Sequence, residues 1–326
     1  MIQTRITQLL GIEHPVLLGG MASVTAPELA VAVSEAGGMG AVGGSYIDAA
    51  RMRDVAAGIR DMTERPFAIN FLLFVDNRDA FAAALEEAPA VMAFAWPADG
   101  QDLAPWFDQA HEAGSKVMFM ADSVAGAVRG ADAGADIIVA QGTEGGGHVA
   151  WMAASVLVPM IVDAVAPVPV LAAGGIADGR GLASALALGA DGALLGTRFL
   201  ATVESPLHPN FKQAILDSDG HDTVLTEVPD VAGGRVWPGA MARALRNRFI
   251  DRWAGREWAL RQNQASAAAA LKAAQQAGDV DEGSLLLGQD AGLINDLPAA
   301  GDLIARMVAE AEEIMTARLP GLVRER

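Results

Sequence analysis

Eight short apolar runs alternate with helical segments along this chain, and this alternation constrains the fold more than any other feature. The runs are apolar throughout, as expected for parallel strands that are covered on both faces. Strands alternating with helices predict right-handed βαβ units, and eight units predict an α/β fold, the (β/α)8 TIM barrel. The predicted strands are Pro15–Met21, Met39–Gly43, Phe67–Leu73, Val91–Trp96, Lys116–Ala121, Ile137–Gln141, Val168–Ala173 and Ala193–Leu200.

Seven segments between these runs have a helical pattern. Several are followed by glycine, which readily adopts the left-handed conformation that ends a helix. The predicted helices are Ala26–Ala36, Ala49–Met62, Arg78–Ala88, Pro105–Ala113, Ala125–Ala133, Ser155–Val165 and Gly179–Leu188.

The pattern divides the chain into three parts. Residues 1–204 form the predicted barrel. Residues 205–290 contain four prolines and an alanine-rich stretch, and they predict a mostly helical insertion domain. Residues 291–326 contain the amphipathic segment Ala299–Leu319, whose apolar residues recur at helical spacing. We predict that this helix returns to the barrel and closes it.

Composition narrows the class of partner. The net charge of −17 argues against nucleic acid and anionic membranes, because both are negatively charged. The absence of cysteine excludes disulfides, thiolate metal sites and cysteine nucleophiles, and it favours a reducing compartment. No apolar run reaches the roughly 18 residues of a membrane span, and no signal peptide is evident. We expect a cytoplasmic protein that acts on a small molecule; the sequence leaves open whether it forms a homo-oligomer.

The stretch from Gln141 to His148 places one histidine at the end of a glycine-rich loop, directly after a predicted buried strand. Glycine lets a ligand approach the main chain closely, and an imidazole can transfer a proton near neutral pH. This pattern indicates a planar cofactor or substrate with His148 beside it. The alternative is that His148 only stabilises its own loop. No pair of histidines has the spacing of a metal site.

Two further glycine sites lie toward the ends of the seventh and eighth predicted strands, near the loops that usually form a phosphate grip in this fold. Gly174 and Gly175 precede a predicted helix start near residues 178–181, whose free N–H groups suit a phosphate dianion. Gly196 and Thr197 add backbone and hydroxyl donors. Since neither a Walker P-loop nor a dinucleotide fingerprint occurs, a mononucleotide flavin fits better than a tightly bound dinucleotide.

These motifs occur in one order along the chain. They are Gly19-Gly20-Met21, Asn70, Gln-Gly-x-Glu-x-Gly-Gly-His at 141–148, Ala-Ala-Gly-Gly-Ile at 172–176, Gly-Thr-Arg-Phe at 196–199 and Gly-Gln-Asp-Ala-Gly-Leu-Ile at 288–294. Together they resemble the nitronate monooxygenase family, formerly the 2-nitropropane dioxygenases, which are FMN-dependent TIM barrels. The resemblance is weakest in the insertion. Related barrels include flavin enoyl-thioester reductases with a similar loop and histidine, so the motifs indicate the cofactor more specifically than the substrate.

The resemblance implies that FMN lies across the carboxyl-terminal mouth of the barrel. Gly20 and Met21 would contact it near the flavin ring, and Asn70 would offer a side-chain amide. Gln141 and Gly146 would line the middle of the cofactor. The predicted phosphate contacts are Gly174, Gly175, Leu194, Leu195, Gly196 and Thr197.

Three more residues are predicted to shape the substrate side. Glu144 could orient His148, or it could be a solvated loop residue. Trp96 stands where many relatives carry small or hydroxyl residues, and it would narrow the substrate space. Trp151, three residues past His148, would form an aromatic wall. The alternative for both tryptophans is core filling.

The resemblance implies oxidation of alkyl nitronates, with nitroalkanes as further substrates, by O2 to a carbonyl compound and nitrite. His148 would remove the α-proton of a nitroalkane or bind the nitro oxygens of a nitronate. The alternative is an FMN- and NAD(P)H-dependent reductase of enoyl or other CoA- or ACP-type thioesters, in which His148 donates or orients a proton. A third, non-enzymatic alternative is a barrel that senses or stores the flavin.

Overall fold

Eleven strands form two sheets in the described part of the protein, which the computed structural model covers at residues 1–21 and 26–323. The last three residues of the predicted segment 291–326 lie outside this range. The strands are β1 (Val16–Leu18), β2 (Gly40–Gly43), β3 (Phe67–Leu72), β4 (Val91–Ala95), β5 (Lys116–Ala121), β6 (Ile137–Gln141), β7 (Gly147–Val149), β8 (Val170–Ala173), β9 (Gly192–Leu195), β10 (Thr223–Thr226) and β11 (Met241–Leu245).

Eight strands form a parallel barrel in the order β1-β9-β8-β6-β5-β4-β3-β2. Two main-chain hydrogen bonds close it between β1 and the start of β2. The Leu18 N–H donates to the Met39 carbonyl at 2.9 Å, and the Met39 N–H donates to the Val16 carbonyl at 3.1 Å. The predicted (β/α)8 barrel is confirmed.

The seven predicted helices are present, with ends shifted by at most two residues. The α-helices are α1 (Arg5–Leu10), α2 (Pro27–Glu35), α3 (Ala49–Met62), α4 (Arg78–Glu86), α5 (Ala104–Glu112), α6 (Val124–Asp132), α7 (Ala154–Val165), α8 (Gly179–Ala187), α9 (Thr197–Leu200), α10 (Pro209–Asp217), α11 (Val228–Gly233), α12 (Arg248–Trp253), α13 (Glu257–Gln262), α14 (Gln264–Ala277) and α15 (Ala300–Glu313). The described residues include no helix that is both long and apolar enough to cross a membrane.

The predicted eighth strand, Ala193–Leu200, is wrong in its second half. Strand β9 ends at Leu195, and the following residues form the short helix α9. The break occurs at Gly196, whose φ of −110° and ψ of −83° leave the extended region. Its carbonyl then accepts hydrogen bonds from the N–H groups of Phe199 and Leu200. Both side chains are buried, so the apolar run continues through the turn and conceals the change.

Side chains of the barrel strands alternate between two cores. In β3, Phe67, Ile69 and Phe71 pack toward the surrounding helices, whereas Ala68 packs inside the barrel. Successive residues of a strand point to opposite faces, so both faces of every barrel strand are buried. This two-sided burial explains why the runs are continuously apolar.

Helix α1 closes the amino-terminal end of the barrel. Its Ile6 is fully buried and joins the cluster of side chains inside the barrel. The Arg5 guanidinium donates two hydrogen bonds to the Asp191 carboxylate, from Nε to Oδ1 at 2.9 Å and from Nη2 to Oδ2 at 2.6 Å. These bonds hold the helix against the turn before β9. The sequence pattern did not predict this helix because it has only six residues.

The chain between β9 and α15 contains α10–α14 and two unpredicted strands, β10 and β11. These strands pair antiparallel, and β11 also pairs with β7 to form a three-stranded sheet in which Ala242 lies opposite His148. Further along the chain, α15 packs against α8 and α2. Whether residues 205–290 form a domain of their own stays a prediction.

We expect Ile6→Ala to lower the free energy of unfolding by about 2–5 kcal/mol, because it leaves a cavity where α1 fills the barrel. Gln8→Ala on the exposed face of the same helix is the control, and it should change stability by no more than about 0.5 kcal/mol. Urea denaturation followed by circular dichroism measures both values. Equal stabilities of the two variants would show that α1 does not stabilise the barrel.

Candidate active site

A cavity of about 800 Å³ opens at the carboxyl-terminal end of the barrel. Active sites lie at this end in enzymes with this fold. The wall above the strand ends is formed by β7, the α11 region and α14. Residues that are distant in sequence therefore enclose one space.

Small and polar residues form the floor of the cavity. Successive side chains of a strand point to opposite faces, so the residue two positions after an interior side chain also points to the barrel axis. In six strands this residue, after an apolar side chain inside the barrel, contributes to the floor. After Ala68 this position is Asn70, and after Val139 it is Gln141. At four other strands the position is a glycine, so a planar ligand can approach the main chain. These glycines are Gly19, Gly43, Gly175 and Gly196, and all four line the cavity.

The Gln141 side chain is suited to a bound ligand. Its Oε1 is buried, and no residue in the described part of the chain hydrogen-bonds to it. A buried polar atom without a partner costs about 1–3 kcal/mol, and a ligand N–H or O–H would remove that cost. Across the floor, the Asn70 Nδ2 donates to the Gly20 carbonyl at 3.3 Å.

The proposed phosphate grip is built from residues that follow β8 and β9. Gly174 and Gly175 have φ values of +94° and +76°, which an L side chain rarely adopts. The Thr197 hydroxyl accepts a hydrogen bond from the Gly288 N–H at 2.8 Å, so its own proton is free to be donated. Leu194 and Leu195 also line the cavity beside these residues.

The start of α8 is not available to a phosphate, which corrects the expectation from sequence. The Asp178 carboxylate accepts hydrogen bonds from the N–H groups of Arg180 at 2.9 Å and Gly181 at 3.2 Å. The Gly179 N–H donates to Glu310 at 2.8 Å. Carboxylates therefore occupy these donors, and their negative charge would repel a dianion.

Gly146 lines the cavity, but its lack of a side chain serves packing as well. A Cβ at this position would lie 2.5 Å from the Gly288 nitrogen and 2.5 Å from the Leu287 carbonyl carbon. Glycine therefore lets the histidine loop contact the chain that precedes the 3-10 helix Gln289–Leu293. A larger residue at Gly146 would disturb this contact before it reached a ligand.

His148 lies in β7, at the edge of the cavity. Its Nε2 is 2.9 Å from Oδ2 of Asp230, and the two side chains are only 10% and 9% exposed. The Trp237 ring stacks on the imidazole, with a distance of 3.4 Å between ring centroids and an angle of 11° between planes. The imidazole is thus held by an acidic and an aromatic partner, both from the segment after the barrel.

Trp96 lies on the cavity wall, where the sequence placed it. Its ring meets Trp237 edge to face at 5.9 Å, and Phe74 packs on Trp237 at 4.7 Å. The φ of Trp96 is +53°, a conformation that costs a non-glycine residue roughly 1–2 kcal/mol. Such strained residues cluster at functional sites, where the surroundings enforce them.

Two predicted pocket residues lie elsewhere. The Glu144 carboxylate accepts hydrogen bonds from the Ala154 N–H at 3.0 and 3.1 Å, so it anchors the start of α7 and does not orient His148. The Trp151 side chain is 65% exposed and does not line the cavity. Glu144 precedes β7 and bonds to the start of α7, whereas Trp151 lies between β7 and α7 and is exposed to solvent. We therefore withdraw both from the substrate pocket.

Asp230, Trp237 and Asp290 line the cavity but were not predicted. Asp230 follows His148 by 82 residues, and nothing in the neighbouring sequence marks it. A tryptophan within the glycine- and proline-rich stretch 233–239 was a signal that could have identified Trp237. Asp290 belongs to the motif at 288–294, and the sequence around it does not indicate that its carboxyl is buried beside the cavity.

Asp290 is a buried acid whose neutral form is favoured by burial. Burial raises the pKa of its carboxyl to about 7, and the nearby Arg198 guanidinium offsets only part of this rise. Arg198 is itself buried, and the loss of water lowers its pKa. The cavity therefore carries a neutral carboxyl in acidic solution and a carboxylate in basic solution.

Asp290 should make stability depend on pH. Its folded pKa of about 7 lies above the ordinary 3.8, so the stability it contributes is fully present below pH 4 and is lost as pH rises to 7. The loss is on the order of 4 kcal/mol, at 1.36 kcal/mol for each pKa unit. Urea denaturation of Asp290→Asn between pH 4 and 8 should lack this decline. The exposed Asp99→Asn is the control, and a decline in Asp290→Asn equal to that control would contradict the assignment.

Two solved structures resemble this fold. FabK from Thermotoga maritima superposes with a TM-score of 0.89 and 36% identity, covering 99% of this chain and 100% of that one. The nitroalkane oxidase from Streptomyces ansochromogenes superposes with a TM-score of 0.83 and 30% identity, covering 96% of this chain and 99% of that one.

Comparison of the sequence with known proteins indicates relatives of the same kind. The chain is 33% identical to the (3aS,4S,5R,7aS)-5-hydroxy-7a-methyl-1-oxo-octahydro-1H-indene-4-carboxyl-CoA dehydrogenase of Mycobacterium tuberculosis, over 95% of this chain and 96% of that protein. The profile of the nitronate monooxygenase family matches residues 3–96 and 82–310. With its barrel, its glycine floor and its histidine at the mouth, the chain belongs to the nitronate monooxygenase family.

Proposed function

We propose that the protein is an FMN-dependent oxidoreductase that oxidises alkyl nitronates, and nitroalkanes, with O2 to a carbonyl compound and nitrite. The observation that carries this proposal is the position of His148, held by Asp230 at the edge of a cavity with a glycine floor. A proton-transfer group beside a flat binding surface suits substrates that lose an α-proton. The likeness to a nitroalkane oxidase supports the same chemistry.

The residues of the floor fit FMN. Gln141 offers its unpaired oxygen, and Asn70 offers an amide. The main chain at Gly175 and Gly196 and the Thr197 hydroxyl would hold the phosphate. FMN, when bound, supplies the electron transfer between the substrate and O2, a reaction that no side chain performs.

His148 would act on the substrate in one of two ways. For a neutral nitroalkane, the imidazole removes the α-proton and leaves the nitronate. For a preformed nitronate, the imidazolium form, which is protonated on both ring nitrogens, would donate a hydrogen bond to a nitro oxygen and orient the anion over the floor. The aromatic wall of Trp96 and Trp237 limits the width of the substrate and excludes water from this side.

A second candidate is an FMN- and NAD(P)H-dependent reductase of enoyl or other CoA- or ACP-type thioesters. The cavity continues past the barrel mouth to α14, where Leu271, Lys272 and Gln275 line it, and Arg235 lies on its wall. The length of this extension suits a long acyl chain, and the positive charges of Lys272 and Arg235 suit the phosphate groups of a CoA or ACP carrier. The 33% identity to a CoA-ester dehydrogenase favours the same class. In this reaction His148 would donate or orient a proton.

Anaerobic mixing of the flavin-loaded protein with single substrates should separate the two candidates. We expect the yellow colour to bleach rapidly with an alkyl nitronate and slowly with NADH or NADPH, because on this proposal the nitronate is the electron donor. Stopped-flow absorbance measures both rates, and chromatography of the heat-released flavin should show FMN.

Rapid bleaching by NADH or NADPH, with turnover of an enoyl thioester, would establish the second candidate instead. Recovery of FAD alone would contradict the FMN assignment. Multiple rounds of nitrite release would exclude a barrel that only stores or senses the flavin.

His148→Ala should leave the flavin bound and lower turnover of a nitroalkane by about 10²–10⁴, the range for one positioned acid or base. The defect should be smaller with a preformed nitronate, since no proton is removed, and part of it should appear in KM. Steady-state nitrite release measures both substrates. His221→Ala, at an exposed position away from the cavity, is the control. Wild-type rates for His148→Ala with both substrates would show that His148 is structural.

A further inference from the structure

We propose that Asp230 is a positioning residue for His148, and that with Trp237 it makes Nδ1 the imidazole atom that exchanges a proton with the substrate. The residues that do this come from the segment after the barrel, so this segment is part of the active site. The proposal rests on the proposed function, because it needs a substrate at His148. The barrel strands alone would leave the imidazole without a partner.

The contact between His148 and Asp230 fixes the tautomer. A carboxylate only accepts hydrogen bonds, so the 2.9 Å contact requires the proton on Nε2. Among the described residues, the His148 side chain makes no other hydrogen bond and Asp230 makes no other ion pair. The Nδ1 atom therefore has a free lone pair, and the imidazole is the one ionisable side chain that the Asp230 carboxylate contacts among the described residues.

The stacking partner prevents the imidazole from turning over. A 180° rotation of the ring about its Cβ–Cγ bond would put Cε1 in the place of Nε2 and Cδ2 in the place of Nδ1, so the contact with Asp230 would be lost. This rotation requires the ring to swing through the space that Trp237 fills at 3.4 Å. Trp96 and Phe74 hold the indole in turn. The orientation that places Nε2 on Asp230 is thus favoured from two sides.

Nearby charged groups leave this pair intact. The Arg235 N–H donates to the Asp230 main-chain carbonyl at 2.9 Å, and the Arg235 guanidinium sits over the Tyr46 ring, 4.9 Å from the centroid. Glu144, the acid nearest in sequence, is bonded to the start of α7. Asp230 is therefore the acid that balances a positive charge on His148.

This arrangement supports transfer of the α-proton of a nitroalkane to His148. With a nitroalkane, the α-C–H bond breaks, an N–H bond forms at Nδ1, and the electron pair stays on the substrate as the nitronate. The imidazole becomes an imidazolium, and the buried carboxylate on the opposite nitrogen stabilises the new charge. With a preformed nitronate no bond to hydrogen changes, so Asp230 contributes only to orientation.

The test uses Asp230→Asn, which keeps the size of the side chain and removes its charge. We expect flavin binding and thermal stability to persist, while kcat for a nitroalkane falls by about 10²–10⁴ and KM changes little. For a nitronate the fall should be at least tenfold smaller. Glu227→Gln is the matched control, since it removes an exposed acid from the same segment and should leave both rates unchanged.

A spectroscopic readout separates positioning from simple damage. Imidazole ¹⁵N chemical shifts distinguish protonated from unprotonated ring nitrogens, and His148 is assigned by the signal missing in His148→Gln. Wild type should show a proton on Nε2 and none on Nδ1, whereas Asp230→Asn should shift the balance toward Nδ1–H. Asp230→Ser is a second variant if the Asn protein is unstable, and it should show mixed tautomers.

Either of two results would overturn the proposal. One is an unchanged tautomer in both Asp230 variants; the other is an unchanged nitroalkane rate despite a changed tautomer. If the wild-type protein turns over no nitroalkane, the proposed function fails. The ¹⁵N spectra still decide the role of Asp230 in that event, and the kinetic comparison is then made with an enoyl thioester.

Discussion

The pairing of β11 with β7 is the contact on which the site depends. A strand made of Gly147, His148 and Val149 has little tendency to form, because glycine is disfavoured in strands. It forms because β11 supplies an antiparallel partner, with Ala242 opposite His148. The buried Arg243 of β11 adds a hydrogen bond from its Nε to the Thr143 carbonyl at 2.9 Å, which ties the beginning of the glycine loop to the same strand. The pairing delivers the chain that carries Asp230 and Trp237 to the imidazole.

The amino-terminal end of the barrel is closed by a helix, whereas the carboxyl-terminal end opens into the cavity. At the amino-terminal end, α1 inserts Ile6 among the interior side chains, and Arg5 bonds to Asp191, so the end is sealed. At the other end the same alternation of strand residues ends in glycines and amides, so the barrel is open there. Residues at the sealed end serve stability, whereas several residues at the open end are also placed to contact a ligand.

Acidic side chains occupy several of the N–H groups near the loops after β8 and β9. The protein carries a net charge of −17, and an anionic cofactor needs local donors that acids do not occupy. Asp178 and Glu310 already take the N–H groups that begin α8. The donors that remain are those near Gly175, Gly196 and Thr197, in the loops after β8 and β9. Burial raises the pKa of Asp290 to about 7, which favours its neutral form in the cavity.

The sequence by itself determined the barrel, because continuous apolar runs separated by helical periods have few other ways to bury both faces. The resemblance of its motifs pointed to Asn70, Gln141 and the glycines near strand ends, and the alternation of side chains along each strand explains why these residues line the cavity. It could not show that Gly196 ends β9, since apolar residues continue through the turn. Nor could it assign Glu144, which lies near His148 in the chain and bonds elsewhere. The partner of His148 is 82 residues away, and only the pairing of β11 with β7 brings the two side chains within 2.9 Å. Residue type and local period specify the elements of this protein, whereas the contacts between distant elements decide which of its acids, rings and amides act together.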